Sequence, residues 1–262
     1  MRSGKPAAAF TVLLVVSFAT MNAMPSDTLL AAMLQEAVLA LVALVAVGFA
    51  VPDALKRCTQ SVQQRNTVRF AGITLLLTGL VGGAITILTW YFANSGNGAG
   101  FVSAVLPSAV DLMENLLLLL GICLLTGLYE ESFMRVLGIE AFERALDTKR
   151  AILASAALFA LLHVGAPDVS AGQLVLLQTA LKFGQALLFG VTLGALYVRT
   201  RRLWPCAFIH AGFDVLYMTP NVLLTGTMPE TYASGAMGDT VLLAVSVLML
   251  SGIVLKIRKE IA

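Results

Sequence analysis

Apolar runs of bilayer-spanning length recur along the whole chain, separated by short polar connectors. A helix needs about 20 apolar residues to cross the hydrocarbon core. Runs near that length fall at 7–24, 28–51, 70–93, 105–128, 151–166, 173–198, 203–219 and 240–255. The pattern predicts an all-α, polytopic membrane bundle of about eight transmembrane helices, forming one integral-membrane domain over residues 1–262. The fifth and seventh runs are short and are expected to tilt, kink or re-enter. Residues 1–24 carry Arg2 and Lys5 ahead of an apolar stretch, the layout of a signal peptide. No good small-x-small cleavage site follows, so an uncleaved signal-anchor helix is expected.

Charge fixes the expected orientation. Arg2, Lys5, Lys56, Arg57, Arg65, Arg69, Arg144, Lys149, Arg150, Arg199, Arg201, Arg202, Lys256, Arg258 and Lys259 occupy the ends and connectors of one side. The opposite connectors, 25–27, 94–103, 167–172 and 220–238, contain no Lys or Arg. Basic residues stay on the cytoplasmic side, so both termini are expected to be cytoplasmic, which favours eight spans over seven.

Composition agrees. The chain is 58% hydrophobic and 12% charged, against roughly 25% charged in soluble domains. A net charge of +2 gives a nucleic-acid partner no electrostatic support. The expected partners are membrane lipid and a membrane-associated protein or peptide. Cys58, Cys123 and Cys206 are far apart and form neither a disulfide framework nor a C-x-x-C metal pattern.

Gly79/Gly83 and Gly190/Gly194, each pair four residues apart, predict close helix approach. Residues 139–150 mix apolar and charged positions and predict an amphipathic interfacial helix.

Two basic residues remain inside spans, Arg135 and Lys182. Lys182 is expected to pair with an acid such as Glu36, Asp111 or Glu114. Arg135 closes the segment Glu130-Glu131-Ser132-Phe133-Met134-Arg135, which follows a long apolar run. Charges at such depth are costly and usually face a cavity where they act. Glu131 and Arg135 have i,i+4 spacing, so they are expected to pair and leave Glu130 the freer carboxylate.

Both histidines of the chain also lie in spans: His163 in the fifth, and His210 in the seventh with Asp214 one turn on. Two imidazoles and one or two carboxylates in a shielded cavity form a hydrolytic set. A carboxylate can take a proton from water. Alternatively, two imidazoles and a carboxylate can hold Zn²⁺ with one position open.

Glu-Glu-x-x-x-Arg (130–135), Phe-x-x-x-His (159–163) and His-x-x-x-Asp (210–214), in that order on successive membrane helices, resemble the CPBP intramembrane proteases. That family includes the type II CAAX prenyl endopeptidases and the bacterial Abi-type enzymes. The resemblance implies an intramembrane endopeptidase acting on a membrane-associated or lipidated protein or peptide, with its catalytic core at about 105–219. Glu130 would be the principal carboxylate and His163 would help it activate water. His210 and Asp214 would orient the substrate carbonyl, while Glu131, Arg135 and Phe159 support the set. In a metal reading, Glu130, His163 and His210 would be the zinc ligands. Many members carry Asn where this chain has Asp214. An ionised Asp cannot donate to an oxyanion, which favours an orienting or metal-side role here.

At about 1.5 Å per residue, Glu130 and His210 come out on the order of 10 Å from the cytoplasmic boundary and His163 about 18 Å. Straight helices would not bring them together. The fifth helix is therefore expected to start deeper, or the chain to unwind beside the site. No His-Glu-x-x-His or Gly-x-Ser-x-Gly is present, and Gly238-Asp239 lacks a glycine two residues earlier. The competing readings are a transporter or proton-relay protein, and a non-catalytic immunity or scaffold member of the same family. The expected setting is a prokaryotic plasma membrane.

Overall fold

A computed structural model describes residues 4–24, 26–56, 65–95, 108–164, 170, 172–228 and 233–261. Helices α1 (Lys5–Ala23), α2 (Leu29–Ala50), α3 (Pro52–Lys56), α4 (Arg65–Ser95) and α5 (Ala109–Glu131) lead into a π-helix, Ser132–Ile139. Then follow α6 (Glu140–Phe142), α7 (Thr148–Val164), α8 (Gln173–Thr200), α9 (Leu203–Thr225) and α10 (Met237–Ile261). No strand occurs among the described residues, and the fold is an all-α helical bundle. Over its described residues, each of the eight expected runs coincides with a helix. Among the described residues, six helices are long and apolar enough to cross a membrane, as a multi-pass membrane protein requires. The two outside that set are α7 and α9, the short runs read as tilted or re-entrant.

The helix starts follow local chemistry. Thr28 caps α2 by accepting from the Ala31 amide. Ser108 and Asp111 form a reciprocal capping box on α5. Asp147 accepts from the Arg150 amide at 2.9 Å and starts α7. The expected amphipathic helix over 139–150 is therefore not continuous. Ile139 ends the π-helix, α6 is a single turn, and Glu140 and Glu143 turn to the far end of α8. There Arg201 meets both at 2.8 Å, which holds its left-handed backbone (φ 49°).

Three further contacts gather at that end of the bundle. Gly4 lies beside the Arg144 guanidinium, Lys5 sits over the Phe49 ring, and Arg199 sits over Phe70. Lys5, Arg144, Arg199 and Arg201, all assigned to one side by the charge pattern, thus share one end of the molecule. Cys123 and Cys206 are free and buried, whereas Cys58 lies outside the described residues.

Glycines set the closest helix approaches, though not all the expected ones. A Cβ on Gly190 would stand 3.0 Å from Ala156 Cα, and one on Gly194 2.9 Å from Ile152 Cγ2, so α8 packs tightly on α7. Gly79 and Gly83 face open space. Gly82 between them is the contact residue, 2.8 Å from Leu216 Cβ by the same measure. The reason lies on α9. Pro220 has no amide to give the Leu216 carbonyl four residues earlier. The Thr86 hydroxyl of α4 donates to that carbonyl instead, and the close approach at Gly82 allows it.

The tightest approach joins α5 to α9. A Cβ on Gly127 would stand 2.6 Å from the Ala207 carbonyl oxygen. Backbone cannot swing aside as a side-chain tip can, so Gly127→Val is expected to force the helices apart. It should cost about 1–3 kcal/mol, the usual range for overpacking. Thermal unfolding in detergent checks this; a wild-type midpoint would contradict the packing described.

Candidate active site

Four elements converge where α5 passes into the π-helix. The helical element beginning at Ala109 continues to Phe142 instead of stopping near 128. That leaves Glu130 more than two turns inside its end. All eight π-helix residues are buried. Ser155 of α7 donates to the Met134 carbonyl at 2.6 Å, tying the wider turn to its neighbour. Such turns recur at functional sites, but nothing in the local sequence announced this one.

The two acids separate as their spacing suggested. Glu131 is 0% exposed, with one oxygen 3.1 Å from Arg135 Nε and the other 2.8 Å from His210 Nδ1. Arg135, also 0% exposed, lays its guanidinium over the Phe159 ring at 4.4 Å. The bond from Glu131 to His210 was not legible in the sequence, because it joins residues on different helices. Glu130, in contrast, has a buried oxygen without a hydrogen-bond partner. That oxygen, Oε2, lies 3.5 Å from His210 Nε2 and 4.0 Å from His163 Nε2.

Both rings are held by their other nitrogen. His163 Nδ1 lies 2.9 Å from the Phe159 carbonyl. A carbonyl only accepts, so Nδ1 carries the hydrogen and Nε2 presents its lone pair towards Glu130. His210 Nδ1 donates to Glu131, and its Nε2 lies 3.4 Å from Asp214 Oδ2, the i,i+4 neighbour. Phe159 lies tilted against the His163 ring at 4.1 Å, and Phe189 meets His210 edge-on at 5.1 Å. The structure therefore brings Glu130, His163, His210 and Asp214 together, with Glu131, Arg135 and Phe159 packed behind them.

Two cavities meet at Glu130, Phe159 and His163. One, of about 210 Å³, is mostly apolar and is lined on one side by Leu14, Phe18 and Met21 of α1. The other, of about 130 Å³, contains His210, Asp214, Lys182, Gln185 and Tyr217. Access is graded. The Glu130 and His163 side chains are 21% and 28% exposed, those of His210 and Asp214 only 4% and 11%.

Lys182 also lines this second cavity. Its ammonium donates to Gln185 Oε1 at 3.0 Å and lies 3.5 Å from the Tyr217 hydroxyl. Asp111, one of its proposed partners, caps its own helix instead, and Glu36 is hydrogen-bonded to Thr126.

The zinc expectation finds no support in this arrangement. Among the described residues, no group of three or more His, Cys, Asp or Glu is placed to hold a metal ion. Donors sharing a tetrahedral zinc stand roughly 3.3 Å apart, and His163 Nε2 is 4.0 Å from Glu130. Glu131 is already engaged on both oxygens.

No curated protein matches the chain. Residues 112–216, running from α5 through most of α9, match the family model described as type II CAAX prenyl endopeptidase Rce1-like. The matched segment contains all three motifs and Lys182, while α1 to α4 and α10 lie outside it. Residues 112–216 thus match a type II CAAX prenyl endopeptidase family, the kind of family that the three motifs resemble.

Proposed function

We propose that this protein is an intramembrane endopeptidase that hydrolyses a peptide bond of a membrane-associated, lipidated protein or peptide. The observation that carries the reading is the unpartnered Glu130 oxygen facing Nε2 of two histidines, within a segment that matches a prenyl endopeptidase family. Glu130 takes a proton from water as the oxygen adds to the substrate carbonyl carbon. His163, its Nδ1 hydrogen committed to Phe159, accepts a hydrogen bond from the same water and aligns it. His210 faces a carboxylate with each ring nitrogen, so its Nε2–H is the donor for the developing oxyanion. Asp214 and Glu131 orient that ring. Glu130 then returns the proton to the leaving amine as the C–N bond breaks. The apolar cavity beside α1 suits the substrate's lipid or apolar side chains. The setting proposed is a prokaryotic plasma membrane with both termini cytoplasmic, supported by the gathering of basic residues at one end.

The test is cleavage in proteoliposomes of a quenched fluorescent peptide carrying a prenylated cysteine followed by three residues. Hydrolysis is expected, and it should persist in the presence of a strong chelator. Prenylated and unprenylated peptides both left intact would count against the reading, and loss of activity on chelation would count against the unassisted carboxylate.

A further inference from the structure

The family-matching segment ends on α9, yet the site it encloses leans on α10, a helix outside that segment. Two glutamines of α8 make the connection. Gln178 accepts from the Gly235 amide at 2.8 Å and donates to the Ala236 carbonyl at 2.7 Å and the Thr240 hydroxyl at 2.9 Å. Gln185 donates to the Ser246 hydroxyl at 2.8 Å. Lys182 lies between them, and the spacing 178, 182, 185 puts all three on one face of α8. Gln178 fastens the start of α10. Gln185 does more, because it also lines the polar cavity, with Lys182, Glu130 and Asp214.

Hydrogen count fixes the direction of each bond along this chain. A serine hydroxyl has one hydrogen to give and two lone pairs. Ser246 gives its hydrogen to the Leu243 carbonyl at 2.8 Å, so towards Gln185 it only accepts. The Gln185 amide therefore turns its NH₂ to α10 and its Oε1 to Lys182, whose ammonium donates to it at 3.0 Å. A flipped amide would set donor against donor. Ser246 and Gln185 are 0% and 3% exposed, which leaves the amide's orientation to these two bonds. Lys182 is electrostatically coupled to Asp214 and Glu130, and its ammonium lies 3.5 Å from the Tyr217 hydroxyl. Hydrolysis develops a further negative charge on the substrate carbonyl oxygen beside those carboxylates. A cation held in the same cavity offsets it.

We propose that Ser246 is a positioning residue for the reaction, which through Gln185 holds Lys182 where its charge opposes the carboxylates of the site. The assignment rests on the protease reading above and deepens it. It makes α10 a working part of the active site, although among the described residues α10 lines neither of the two cavities.

A double-mutant cycle separates positioning from packing. kcat and KM are measured in proteoliposomes with the prenylated fluorescent peptide for wild type, Ser246→Ala, Lys182→Met and the double variant. A hydrogen bond to a charged group amounts to roughly 10- to 100-fold, so Lys182→Met should lower kcat by that factor with KM little changed. Ser246→Ala removes a neutral bond one step further out and should lower kcat about 3- to 10-fold. In the Lys182→Met background the same change should alter kcat by less than about twofold, because the group it positions is gone. Ser246→Thr, which keeps the hydroxyl, should retain most of the wild-type kcat. A wild-type kcat in either single variant would overturn the proposal. So would an equal fold loss from Ser246→Ala in both backgrounds, as a packing role would give. A wild type that cleaves nothing would remove the protease reading instead. The thermal midpoints of the four proteins in detergent then decide the connection alone: non-additive shifts support it, and additive shifts overturn it.

Discussion

Glu130→Gln is expected to lower kcat/KM by about 10³- to 10⁴-fold, at the upper end of what positioned proton transfer contributes, while leaving the fold intact. The amide keeps the size of the carboxyl group and removes only its capacity to take a proton. Because Glu130 Oε2 accepts no hydrogen bond in the folded protein, the substitution breaks none there. The thermal midpoint in detergent should therefore stay close to that of the wild type. Glu131→Gln tests the contrast between the neighbours. Glu131 is committed to Arg135 and His210, so its substitution should disturb stability and ring orientation together. A Glu130→Gln protein within tenfold of wild-type activity would remove Glu130 from the reaction.

The largest effect on stability is expected at Arg135. Its guanidinium is wholly buried, and neither Nη1 nor Nη2 has a hydrogen-bond partner. Removing it therefore sacrifices little bonding on its own side beyond the Phe159 stacking. The cost comes from Glu131, left as a buried carboxylate opposed only by His210. Breaking a buried pair from one side costs about 3–5 kcal/mol. Arg135→Met should show a loss of that size in detergent unfolding. Arg135→Met combined with Glu131→Gln should recover a substantial part of it, because no unopposed carboxylate remains. Activity should not recover in the double variant, since His210 has lost its orienting partner. Equal stability of the single and double variants would show that the pair is not the source of the loss.

The sequence made most of this molecule legible for a simple physical reason. A segment solvated by lipid must be apolar over about 20 residues, and that pattern locates α1, α2, α4, α5, α8 and α10 directly. It misplaced the end of α5, because Glu130, Glu131 and Arg135 look like the polar margin of a helix. In the fold these charges answer one another and the histidines, so the helical element runs on through the π-helix. Packing glycines were legible as a class but not in register: Gly82, not Gly79 or Gly83, meets Leu216. That choice depends on helix rotation and on the carbonyl freed by Pro220.

Pairs on one helix, Glu131–Arg135 and His210–Asp214, could be read from i,i+4 spacing. Contacts between helices could not. The Glu131–His210 bond and the position of Lys182 in the lining of the polar cavity follow from how α5, α8 and α9 lie against each other. The family motifs grouped Glu130, His163 and His210, yet carried no information on Lys182, which belongs to none of them.

The most direct test of the central claim is mass-spectrometric comparison of membrane-protein and peptide termini from two cell populations. One expresses the wild-type chain and the other Glu130→Gln at equal abundance. An intramembrane endopeptidase predicts a defined set of new termini, at membrane-associated or lipidated proteins, that appears only with the wild type. Identical termini in the two populations would contradict it and would favour the transport or scaffold readings of the same buried charges.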